Sequence, residues 1–131
     1  MLEMPSARLN STAKSVGRAG PAGRITDVAV AFLRSNFDRR VTLRDLEIQT
    51  GSDSFQLIRA FRRDLGVTPH AFLIELRIAK AADLLLRGES PAEIAPEVGF
   101  VDQSHLTRHF KRAHGKTPRR FLHDHLANVS A

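Results

Sequence analysis

The chain has 131 residues, 42% of them apolar, and a formal net charge of +6 set by 16 Arg and 4 Lys against 14 acidic residues. That length makes one domain, or two very small lobes sharing a core. With no cysteine there is no disulfide, thiolate metal site or cysteine nucleophile, and no apolar run matches a secretory signal or a membrane span.

The expectation that follows is a cytoplasmic protein. The bias to arginine favours a phosphate-bearing or otherwise acidic partner, because a guanidinium fork matches phosphate oxygens in bidentate fashion.

Residues 1–22 are rich in Ser, Gly, Ala and Pro around Arg8, Lys14 and Arg18, and they read as a disordered basic leader. Order is expected over 23–131, beginning near Arg24. Ile25, Val28, Phe32 and Leu33 then recur at helical spacing to about Asn36. Thr42, three residues ahead of Asp45, caps a short helix to about Gln49, which Gly51 breaks. Asp53 caps the next helix, with Leu57, Phe61 and Leu65 on its core face and Gly66 as its stop.

Thr68-Pro69 starts a long helix to Arg87, with proline where a missing N–H costs nothing. Phe72, Leu76 and Ala79 face one way and Ile74, Ile78, Ala81 and Leu85 another, so this helix must be covered on two sides. It reads as a central bridge between a first lobe at about 24–66 and a second at about 90–126. In the second lobe Ser90-Pro91-Ala92-Glu93 is a capping box opening a helix to Val98, and Gly99 turns the chain. Asp102 caps a helix to about Ala113, Gly115 stops it, and Thr117-Pro118 starts a last helix to about Leu126. No segment alternates as a strand does. The predicted fold is all-α, with two helix-turn-helix lobes, about seven helices in total, joined by the long central helix.

Residues 53–73 and 102–122 align at a constant offset of 49 with ten identities in 21 positions, among them Asp53/Asp102, Arg59/Arg108, Phe61/Phe110 and Thr68/Thr117. Each copy is a capped helix bearing arginines, a Gly stop and a Thr-Pro restart. A short helix, a turn and a longer basic helix is the layout that places its second helix in a major groove, and two copies suit two equivalent grooves.

These residues carry a resemblance. Arg59-Ala60-Phe61 through Gly66-Val67-Thr68-Pro69, and above all Gly99-Phe100 through Asp102-Gln103-Ser104-His105-Leu106-Thr107-Arg108-His109-Phe110-Lys111, resemble the DNA-binding domain of AraC/XylS-type transcription regulators. The likeness covers about residues 24–123. It implies a module that binds double-stranded promoter DNA and usually activates transcription by contacting RNA polymerase; two similar units in one chain further lead us to expect a nucleoid-associated monomer on DNA, with no cofactor. The base-reading positions it implies are Phe55, Ile58 and Arg59 in the first unit and Gln103, Ser104, Thr107 and Arg108 in the second. They lie off the Leu57/Phe61 and Leu106/Phe110 faces. Arg59 and Arg108 suit guanine, Gln103 suits adenine, and Phe55 suits a thymine methyl. Arg62, Lys111 and Arg112 are expected on phosphates.

Three positions depart from the family pattern. Glu47 stands where a small residue usually packs the first unit, and must reach solvent or an arginine. Ser52 replaces an apolar residue, and Pro96 lies inside a short helix, where it is expected to kink it. Many relatives also carry a sensing domain ahead of this module, so the sequence reads either as a stand-alone regulator or as a shortened relative. His105 and His109 have the i, i+4 spacing of a zinc pair, but without an intervening Glu or any Cys neither a metal site nor an enzyme is expected. The alternative function is a decayed or truncated relative acting as a protein-interaction module with weak DNA binding.

Overall fold

The computed structural model describes residues 21–130, which form seven helices with no strand among the described residues. They are α1 (Pro21–Asn36), α2 (Leu43–Thr50), α3 (Ser54–Leu65), α4 (Pro69–Leu86), α5 (Pro91–Glu97), α6 (Gln103–His114) and α7 (Pro118–Ser130). Pro21 and Ala22 are helical and so correct the expected leader at its end. Proline suits a first helical turn, whose N–H groups have no partner within the helix. The rest of that leader lies outside the described residues.

Local chemistry ends these helices. Thr42, Asp53, Thr68, Ser90 and Asp102 each accept, through the side chain, the backbone N–H three residues on. Thr117 does the same for Arg120 at the start of α7. Asp45 and Gln56 return the bond to the N–H of Thr42 and Asp53, closing two capping boxes. At α5 the box differs from expectation: the Glu93 carboxylate accepts the Ser90 hydroxyl proton at 3.0 Å. Gly51, Gly66 and Gly115 close α2, α3 and α6 in the left-handed region, where a side chain would be strained. Pro96 falls one residue before the end of α5, so the hydrogen bond it removes belongs to the last turn; its carbonyl accepts the Gly99 N–H.

Two cores result, and α4 serves both. Its first half supplies Phe72 and Leu73 to a core with Leu33 of α1, Leu46 of α2, and Leu57 and Phe61 of α3. Its second half supplies Ile78, Ala81, Ala82, Leu84 and Leu85 to a core with Ile94 of α5, Leu106 and Phe110 of α6, and Phe121 of α7. The repeat extends to the ring pairs. Phe61 meets Phe72 edge-to-face at 5.9 Å, and their counterparts Phe110 and Phe121 do so at 5.2 Å. Such pairs add about 0.5–1.5 kcal/mol to the burial of the rings. With 18 residues, α4 spans about 27 Å at 1.5 Å per residue.

Candidate nucleic-acid interface

Helices α3 and α6 are the second helices of the two units, and each buries a single stripe. In α3 the stripe is Leu57, Ala60 and Phe61; in α6 it is Leu106 and Phe110. The opposite faces carry the residues singled out from the sequence. Phe55, Arg59 and Arg62 are exposed on α3, with Ile58 half-buried at their edge. Gln103, Ser104, Arg108, Lys111 and Arg112 are exposed on α6, with Thr107 half-buried in the position equivalent to Ile58. Phe55 is 74% exposed, an apolar residue held in water on the face that also carries Arg59 and Arg62.

The charge on these faces is uncompensated. Among the described residues, no carboxylate pairs with Arg59, Arg62, Arg108, Lys111 or Arg112. Arg44, Arg63, Lys80, Arg87, Lys116 and Arg120 all have acidic neighbours. Arg63 and Arg112 are equivalent in the repeat, yet Arg63 lies 3.3 Å from Asp64, so the second unit presents one more unpaired cation, three against two.

The departures in the first unit have structural answers. Glu47 Oε2 accepts the Ser54 N–H at 2.8 Å, and Oε1 lies 3.7 Å from Arg44 Nη1. The carboxylate thus satisfies a free N–H in the first turn of α3 and sits against the positive end of that helix. The second unit instead packs Ala95, fully buried, at this joint. Ser52 is itself buried at 8% exposure, and its N–H donates to Thr50 Oγ1 at 3.3 Å. The turns also differ in length. Gly51 and Ser52 alone separate α2 from the Asp53 cap, whereas Val98 to Val101 separate α5 from the Asp102 cap.

The histidines of α6 serve packing. The His109 ring stacks on Phe100 at 5.5 Å, and the His105 ring meets Phe100 edge-on at 5.1 Å. His105 Nδ1 accepts the Val101 N–H at 3.4 Å, a weak bond that uses one ring nitrogen on the backbone. Burial holds the His109 pKa below its ordinary value, and the charges of His105, Arg112, His70 and Arg108 push the same way. No group of three potential metal ligands occurs among the described residues. Arg108, Lys111 and Arg112 carry the permanent positive charge of the exposed face.

Two units of the same design on one bridging helix, each with an unpaired basic face opposite its core stripe, define a double helix-turn-helix DNA-binding domain. The family model described as "Helix-turn-helix domain" matches residues 48–124, more than half of the chain. The chain belongs to the AraC/XylS-type helix-turn-helix family. It is 40% identical over 75 residues to an uncharacterized HTH-type transcriptional regulator, YbfI of Bacillus subtilis, covering 57% of this chain and 27% of that protein. The chain thus spans about a quarter of that relative's length. The C-terminal domain of AraT, a response regulator from Geobacillus stearothermophilus, superposes with a TM-score of 0.72 at 27% identity, over 76% of this chain and 84% of that one. The DNA-binding domain of AdpA, a global transcriptional factor solved with a target DNA, has the same fold. Its TM-score is 0.72 at 24% identity, over 84% of this chain and 96% of that one.

Proposed function

We propose that this chain is a sequence-specific DNA-binding transcription regulator that docks as a monomer, with α3 and α6 in two successive major grooves on one face of the duplex. The observation that carries this reading is the repeated, uncompensated basic face at an offset of 49 residues. Successive major grooves on one face lie about 34 Å apart, and a bridge of about 27 Å with reading helices beyond each half suits that spacing. In this reading Arg59 and Arg108 form bidentate contacts to guanine, each contributing about 1–3 kcal/mol of discrimination. Gln103, Ser104 and Thr107 read neighbouring base edges, and Phe55 and Ile58 pack on thymine methyls. Arg62, Lys111 and Arg112 hold phosphates and set the register. The protein acts in the cytoplasm, without enzymatic activity, as an activator in contact with RNA polymerase. Relatives named as activators, such as the virulence regulon activator VirF of Yersinia enterocolitica, support that assignment.

A salt titration tests the reading. Binding through 6–10 phosphates weakens by about 10³–10⁵ between 50 and 200 mM salt. A flat response would instead favour a protein partner held by apolar contacts. Footprinting on genomic fragments should protect two half-sites about one helical turn apart, and protection of one alone would sink the two-groove arrangement.

A further inference from the structure

A double reader binds two grooves tightly only if its lobes keep a fixed separation, and the two cores are joined through α4. Leu76 packs against the first core and Ile78 belongs to the second. Between them lies Arg77, only 7% exposed, at the midpoint of the bridging helix and its one buried charged residue.

Its contacts reach into both lobes. Nε donates to the Phe37 carbonyl at 2.7 Å and Nη2 to the Arg39 carbonyl at 2.9 Å, both in the first-lobe segment between α1 and α2. On the other side the guanidinium lies 5.8 Å from the centre of the Phe100 ring, in the second-lobe turn before α6. Gly99 makes this approach possible. A Cβ there would lie 2.7 Å from Arg77 Nε and 2.7 Å from the Phe37 carbonyl oxygen, and its φ of +102° already disfavours a side chain. Phe37, whose carbonyl Arg77 holds, packs its own ring against both cores. Three segments far apart in sequence therefore converge on one buried fork.

Resting on the two-groove reading, we propose that Arg77 is a positioning residue that fixes the separation and angle of α3 and α6, and so sets which half-site spacing the chain accepts. The planar fork is suited to this task because it aims two N–H groups at two carbonyls in one plane while its face lies toward the Phe100 ring. Lysine in its place offers a single point charge and cannot reproduce that directionality.

The chain contains no cysteine, so Gln49→Cys with Ala92→Cys gives one label site in each lobe, on exposed residues of α2 and α5. Spin–spin distances in the full chain are expected to be narrowly distributed with Arg77 present. With Arg77→Met they should broaden while the far-UV signal is unchanged, and Arg77→Lys should give an intermediate width. Either variant retaining the parent's width and mean distance would overturn the proposal, and Arg77→Lys decides it if the Met variant does not fold. A second measurement uses duplexes selected by the parent chain from a random pool. Arg77→Met should keep its affinity for one half-site, lose about tenfold on the paired site, and tolerate inserted base pairs that the parent rejects. Equal loss on single and paired sites would also refute it. A parent chain that protects only one half-site would remove the two-groove reading, and the label distances would still decide the role of Arg77.

Discussion

Phe110→Ala tests the separateness of the two cores most directly. The Phe110 side chain is fully buried, meets Phe121 edge-to-face at 5.2 Å and lies 4.4 Å from the His114 ring. Truncation frees no polar atom, so the cost is lost transfer energy plus the cavity, about 3–5 kcal/mol for a buried phenylalanine. A domain of this size has roughly 5–15 kcal/mol in total, so the loss is a large share of its stability. At about 4–8 °C per kcal/mol, its melting temperature should drop by roughly 12 °C or more. Thermal and urea unfolding followed by far-UV circular dichroism measure this. The internal comparison is Phe61→Ala, the equivalent ring in the first core, fully buried and paired with Phe72. It should cost a similar amount. On DNA, Phe110→Ala should thin protection over the half-site read by α6 and Phe61→Ala over the other. A cost below about 1 kcal/mol for either ring, or both half-sites fading together in both variants, would refute the two-core account.

Other substitutions separate reading from holding. Arg108→Ala should lose preference at one base position by about 1–3 kcal/mol, whereas Lys111→Ala should weaken all sequences alike and lower the salt slope by about 1 in quantitative binding assays. Glu47→Ala leaves the Ser54 N–H without its acceptor, and denaturant unfolding should record a loss of about 1 kcal/mol. Gly99→Ala should cost more than about 1 kcal/mol and more than Gly51→Ala, because both glycines have positive φ but only Gly99 faces atoms within 4 Å. His109 and His114 both have pKa values held below 6.5, chiefly by burial. The folded state therefore binds fewer protons than the unfolded one, and the stability these two groups contribute is full above about pH 6.5 and lost as the pH falls below it through their lower folded-state values. Unfolding curves from pH 7.5 to 5.5 should show this decline, and His109→Gln with His114→Gln should flatten it.

The helix ends were legible in the sequence because they are made by partners three or four residues apart. Thr42, Asp53, Thr68, Ser90, Asp102 and Thr117 all cap as their positions implied, and Gly51, Gly66 and Gly115 take the left-handed conformation that only glycine adopts cheaply. The 49-residue repeat and the 3.6-residue spacing of Leu57/Phe61 and Leu106/Phe110 likewise determined the all-α double helix-turn-helix plan and which sides of α3 and α6 stay in solvent. Tertiary structure alone decided what distant residues do to one another. Thr26 is buried through a 2.7 Å bond to Asp64, 38 positions away, and Glu47 reaches across a turn to cap another helix. His105 and His109 lie against Phe100, and the carbonyls taken by Arg77 come from a loop about 40 residues upstream. Each of these depends on where two or three helices meet in space, and Arg77, one of several charged residues in its helix, carries no local mark of the carbonyls it will find there.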